Sequence, residues 1–181
     1  MKRSTFALCT FVFATRGFAA AAEPADPLSY DDPAMHFAAP PGWERVRFTP
    51  STTEDSSHPV AIFAKDRGEY DQRTIAIEVG RFDGTFDSVA DVHASELRTQ
   101  FDHAFIDHKA RVVLPNGMPA WWQRVSYGQE LGHIYERYEY VLFDGRRSIV
   151  VSYTAHLGDA DDKDAKAALS SLSVVLYPNG R

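Results

Sequence analysis

The chain has 181 residues, 44% hydrophobic and 13% aromatic, enough apolar surface for one packed domain and too much for wholesale disorder. Its 19 basic and 25 acidic residues leave a formal net charge of −6, which argues against binding nucleic acid or an anionic membrane through a general positive field. The single cysteine, Cys9, excludes an internal disulfide.

Lys2 and Arg3 precede an apolar run from Phe6 to Thr15, Ala19 to Ala22 supply small side chains, and no acidic residue occurs before Glu23. This pattern predicts a cleavable signal peptide over residues 1–22, cut after Ala22, and a mature protein that is periplasmic or secreted. The apolar run is about half the roughly 20 residues a spanning helix needs, and nothing later is longer, so no membrane span is predicted. Leu8 is too bulky for Cys9 to serve as a lipid-attachment site. Cleavage removes three basic residues and no acid, leaving 16 against 25 and a net charge of −9, for which solubility is sufficient reason.

Residues 23–34, rich in Pro, Asp and Ala, read as a flexible N-terminal arm, and one domain over 35–177 follows. Met35 to Ala38 and Trp43 to Phe48 predict two short strands joined by the Pro40-Pro41-Gly42 turn. After a polar loop, Val60, Ile62 and Ala64 alternate along one strand, and Ile75, Ile77 and Val79 share a face of the next. From Phe86 the period lengthens. Phe86, Val89, Ala90, His93, Leu97, Phe101 and Phe105 recur three or four apart, which predicts an amphipathic helix at about Ser88 to Asp102, capped by Asp87 or Ser88.

Four antiparallel strands follow, at about Lys109–Leu114, Met118–Gly128, Ile134–Phe143 and Arg146–Ala155. A two-residue turn at Asp144-Gly145 pairs Phe143 with Arg146, Tyr140 with Ile149 and Tyr138 with Val151, and sets Glu136 opposite Tyr153. Ile134, Tyr138, Tyr140, Leu142, Ile149, Val151 and Tyr153 then share an apolar face. Arg137, Glu139, Ser148 and Ser152 fall on the other, which suits solvent or a partly covered surface. A last helix is predicted around Ala165, Ala168, Leu169 and Leu172, followed by an extended segment at Val174 to Tyr177.

Chemical motifs are sparse. Asp102, His103, Asp107 and His108 come nearest to a metal cluster, but the helix ends among them and the two imidazoles need not share a direction. There is no HExxH, no GxSxG and no glycine-rich phosphate loop. No metal, cofactor or catalytic residue is therefore assigned. His93 reads as a hydrogen-bonded boundary residue on the helix. Glu136 stands on an otherwise apolar face; burial would raise its pKa and allow a catalytic acid, whereas an edge position beside an arginine is the plainer expectation. Trp121 and Trp122 point to opposite sides of their strand, so one is core and the other lies under a helix or exposed. If Trp122 is exposed beside Arg124, the two could anchor a ligand. The candidate binding residues are thus Trp122, Arg124 and Glu136.

Met35-His36-Phe37-Ala38-Ala39-Pro40-Pro41-Gly42-Trp43 resembles the opening strand and P-x-G-W turn of the PsbP-like superfamily, which includes photosystem II extrinsic subunits and small bacterial envelope proteins. Leu114 to Ala120 is similar to the start of that family's mid-domain G-x-x-A strand, Asp144-Gly145 falls where its hairpin does, and Ala168 to Leu172 looks like its terminal helix. The resemblance spans Met35 to Leu176. It implies an α+β fold, an α-β-α sandwich with a central antiparallel sheet, acting by binding or assisting assembly without enzymatic activity. The long basic N-terminal segment of the photosynthetic members is missing, which speaks against a photosystem role.

The expected function is a non-enzymatic binding or assembly-assisting module of the cell envelope, its partner another envelope protein. Two rival expectations are an inhibitor or immunity protein against a toxin or hydrolase, suggested by size, export and acidity, and a hydrolase using Glu136 or the His103 and His108 region.

Overall fold

Alternating apolar residues build nine strands, and periodic ones two helices, in a computed structural model that describes residues 29–32, 35–38, 42–47, 58–65, 73–101, 103–128, 132–159 and 162–170. In chain order they are β1 (Ser29–Asp32), β2 (Met35–Ala38), β3 (Glu44–Arg45), β4 (His58–Lys65), β5 (Arg73–Arg81), α1 (Phe86–Gln100), β6 (Phe105–Val113), β7 (Pro119–Gly128), β8 (Ile134–Phe143), β9 (Arg147–His156) and α2 (Asp162–Ser170). The predicted signal peptide and the predicted extended segment at Val174 to Tyr177 lie outside the described residues.

β1 and β2 pair with each other; the other seven strands form one antiparallel sheet in the order β3-β4-β5-β9-β8-β7-β6. The mixed α+β class follows directly. Helix α1 carries the chain from β5 to the far edge at β6, and the meander β6 to β9 returns inward until β9 lies beside β5. On one face Phe63, Ile75, Ile77, Trp122, Tyr138, Leu142 and Ile149 pack with Ala165 and Leu169 of α2. On the other, Val89 of α1 meets Val141 and Val150, and Leu97 meets Val125 and Tyr127. Burial of such aliphatic and aromatic side chains contributes roughly 1.5–3 kcal/mol each before entropy is counted.

Four expectations are corrected. The strand at Met35 pairs backward with Ser29–Asp32 rather than forward across the Pro-Pro-Gly turn, while β3 pairs with β4. Trp43 docks in the core with its ring edge-on to Tyr153, centroids 6.0 Å apart, so a long-range contact decides where this segment lies. In β4 it is Ala61 and Phe63 that enter the main core cluster, a register shift between Pro59 and Ala61 brings Val60 against the same cluster, and Ala64 is buried outside it. Helix α1 begins earlier than Ser88, because Thr85 caps it: the Thr85 side chain accepts from the Ser88 N–H, and the Ser88 hydroxyl receives the Thr85 N–H at 3.0 Å.

The β8–β9 turn is displaced by one residue. Asp144 accepts the N–H groups of Arg146 and Arg147 at 2.9 and 2.7 Å and the Arg147 guanidinium at 2.7 Å, making it a flanking residue of the turn. Gly145, at φ +96°, takes the first central position, where a side chain would be strained. Phe143 therefore pairs with Ser148, Tyr140 with Val151, Tyr138 with Tyr153 and Glu136 with Ala155. A shift of the pairing by two residues leaves each side chain on its expected face.

Candidate functional site

Strand alternation places Phe105, Arg124, Ser126, Glu136 and Tyr138 on the α2 side of the sheet, at the end away from that helix's contacts with Trp122, Leu142 and Tyr140. Phe105 stands across from Ser126, and Ser126 across from Glu136, so one row crosses β6, β7 and β8. In the neighbouring row Arg124 pairs with Tyr138. A register irregularity between Ile106 and His108 lets Asp107 turn to Arg124. The guanidinium binds that carboxylate in a fork, with Nε at 2.9 and 2.8 Å from the two oxygens and the second nitrogen at 2.7 Å.

Arg124 also bonds the Tyr138 hydroxyl, and its own pKa is raised chiefly by the hydrogen bond to Asp107. Tyr138 donates to Glu136 Oε2 at 3.3 Å. Burial pushes the phenol up, Glu136 adds to this, and Arg124 works against it. Asp107, Arg124, Tyr138 and Glu136 thus form one polar chain across three strands. Beside it the Phe105 side chain is 64% exposed. Such a surface offers an aromatic anchor and polar groups that can exchange partners.

Of the three sequence candidates, the structure unites Arg124 and Glu136 and removes Trp122. Its ring is 1% exposed, between Tyr138 and Tyr140 with Lys166 of α2 above it, so Trp122 cannot present itself to a ligand. Trp121 is the half-buried one: its indole N–H donates to the Phe86 carbonyl at 2.8 Å and its ring stacks on Phe86. Glu136 is not at a sheet edge either, since β8 lies between β7 and β9, and its contact is a tyrosine hydroxyl rather than an arginine. His103 and His108 are exposed, Asp107 is committed to Arg124, and Asp102 lies outside the described residues.

The largest correction concerns the polar face. Arg137, Glu139 and Ser152, expected toward solvent or a partial cover, are buried beneath α1 together with Gln123, and the helix's own His93 is buried against them. Glu139 is fully buried. Its Oε2 accepts from Arg137 Nε at 2.7 Å, and its Oε1 accepts from Gln123 and lies 3.0 Å from His93 Nε2. That last contact is ionic rather than a well-aligned hydrogen bond. Arg137 donates onward to Glu78 at 2.8 Å, and His93 Nδ1 lies 3.8 Å from Glu96.

Burial opposes the charge on His93, but Glu139, with help from Glu96, outweighs it and pushes the imidazole up to about 9. Burial likewise opposes ionisation of Glu139, yet His93 and Arg137 hold it at about 2. Arg137 stays charged, since Glu78 and Glu139 offset its desolvation. The signal available beforehand was slight: a histidine inside an apolar helical stripe, and charged residues alternating with apolar ones along a strand flanked by others.

No family model and no curated protein matches the sequence. Solved structures do. The solution structure of cyanobacterial PsbP from Synechocystis sp. PCC 6803 is similar over 86% of this chain and 98% of its own, with a TM-score of 0.54 and 12% identity. LpqN, involved in cell envelope biogenesis of Mycobacterium tuberculosis, is matched over 77% of this chain and 80% of its own, with a TM-score of 0.48 and 14% identity. The chain has the PsbP-like fold; at such identity the likeness is one of fold alone.

Proposed function

We propose that the chain is an exported, non-enzymatic binding or assembly-assisting module of the cell envelope, with another envelope protein as its partner. In this proposal residues 1–22 are the signal, 23–34 an arm, and 35–177 an α-β-α sandwich whose uncovered sheet end does the binding. The carrying observation is Phe105, an aromatic ring 64% exposed beside the forked Arg124–Asp107 pair. Aromatic and arginine side chains dominate the energetics of protein interfaces, because they bury a large area while keeping directional polar contacts. The PsbP-like fold and the export signal support the same reading.

Two experiments test it. Mature protein used as bait in an envelope extract recovers a specific partner, and Phe105→Ala weakens that complex by about 2 kcal/mol, roughly 30-fold in Kd. Repeated recovery of no partner, or undiminished affinity of the variant, overturns the proposed surface. The exported form isolated from its host begins at Glu23 by intact mass. A cytosolic protein still carrying Met1 or Lys2 removes the envelope role.

A further inference from the structure

We propose that His93 is a protonation-controlled latch that fastens helix α1 to the interior strand β8, so that docking of the helix depends on the charge of one imidazole. The geometry is an ion cluster that closes only across the helix–sheet boundary. His93 comes from α1, and the carboxylate it meets at 3.0 Å comes from β8.

Around it, Glu96 faces the ring from α1, Glu139 and Arg137 from β8, and Gln123 from β7. Arg81 of β5 and Ser148 of β9 line the space beside it, Ser152 stands across from Glu139, and Glu78 lies behind Arg137. Among the inner charges, Glu78 and Glu139 are balanced by Arg137 together with a protonated His93. A neutral imidazole leaves two carboxylates, the fully buried Glu139 and the part-buried Glu78, to share the single charge of Arg137, which is costly.

The proton has a route. A cavity of about 30 Å³, enough for one water, adjoins His93 and is lined also by Arg81, Val92 and Glu96. Elsewhere on the helix the polar fastenings among the described residues are the Trp121 indole N–H on the Phe86 carbonyl, which does not titrate, and the exposed pairs Lys109–Asp91 and Arg111–Asp87, of a kind that contributes little. The buried ion cluster is therefore the fastening whose state can change.

His93 binds its proton more tightly in the folded state, at about 9 against 6.5 when unfolded. Its contribution is complete below 6.5 and is lost as pH rises through about 9. Amide hydrogen exchange on the full chain between pH 6 and 10 tests this. After correction for intrinsic rates, the opening constant of α1 amides should rise about tenfold per pH unit between 6.5 and 9 and level off above, while β4 and β5 amides stay protected. His93→Gln should show a flat profile across that window, with α1 already more open at pH 6.

A flat wild-type profile, a slope retained in His93→Gln, or a slope shared equally by β4 and β5 overturns the latch. Should His93→Gln not fold, NMR titration of the wild-type imidazoles decides. His93 titrating near 9 supports the proposal, and a midpoint near 6.5 overturns it.

Discussion

Glu139→Gln lowers the unfolding free energy by about 3–5 kcal/mol at pH 7, although it changes the side chain's shape hardly at all. The reason is that Glu139 is fully buried and is the common partner of Arg137, His93 and Gln123. An amide cannot compensate the two cations. His93 escapes by releasing its proton, but Arg137 has no such exit and keeps only Glu78 as a counter-ion.

Urea denaturation of wild type and variant at pH 7 measures the loss, and repeating it across pH identifies the cause. Because Glu139 is lowered from 4.5 to about 2, its contribution in the wild type is complete above 4.5 and is lost as pH falls toward 2. The variant lacks that acid limb, and it also lacks the alkaline decline between 6.5 and 9 that His93 imposes. A loss below about 1 kcal/mol would mean that the buried charges are not a structural unit.

The second large effect separates core from binding surface along one strand. Trp122→Ala costs about 3–5 kcal/mol of stability, since it opens a cavity between Tyr138, Tyr140 and the α2 residue Leu169 that the sheet cannot collapse to fill. Arg124→Ala, two residues along the same face, costs about 1 kcal/mol or less, because its pair with Asp107 is part exposed. Thermal or urea unfolding of both variants reads the contrast directly. Equal, small losses would restore Trp122 as a surface anchor and undo the assignment of that face to the core.

Much of the secondary structure was legible because it is encoded locally. β8 spans Ile134–Phe143 as its alternation predicts, β7 starts one residue later than expected, and β9 is shifted by one residue at both ends. The α1 stripe was equally plain, with Val89, Ala90, His93 and Leu97 all turned inward. Its start was misplaced because Thr85 and Ser88 cap it jointly, a reciprocal arrangement that single-residue preferences do not reveal. The β8–β9 register was missed by two residues because Asp144 binds the turn's backbone instead of occupying its tip.

The candidate surface was half legible. Arg124 and Glu136 were marked out by their places in strands, while Phe105 was assigned to the helical stripe, since nothing local announces that α1 ends at Gln100 and an edge strand begins at Phe105. The buried cluster was hidden for a different reason. Arg137 and Glu139 look like solvent-facing residues of an antiparallel strand, and so they would be in a sheet with one bare face.

What the amino-acid order settled by itself is the parity of each strand and the inward stripe of each helix, because those follow from repeats of two and of three to four residues. What covers each face was decided by the assembled sheet. Only when the meander from β6 returns β9 to the side of β5 does α1 come to lie over β8, and burial then turns an exposed-looking Arg137, Glu139 and Ser152 into the floor beneath His93. A local pattern carries no information about which distant element will exclude water from it, and exclusion of water is what gives those charges their strength.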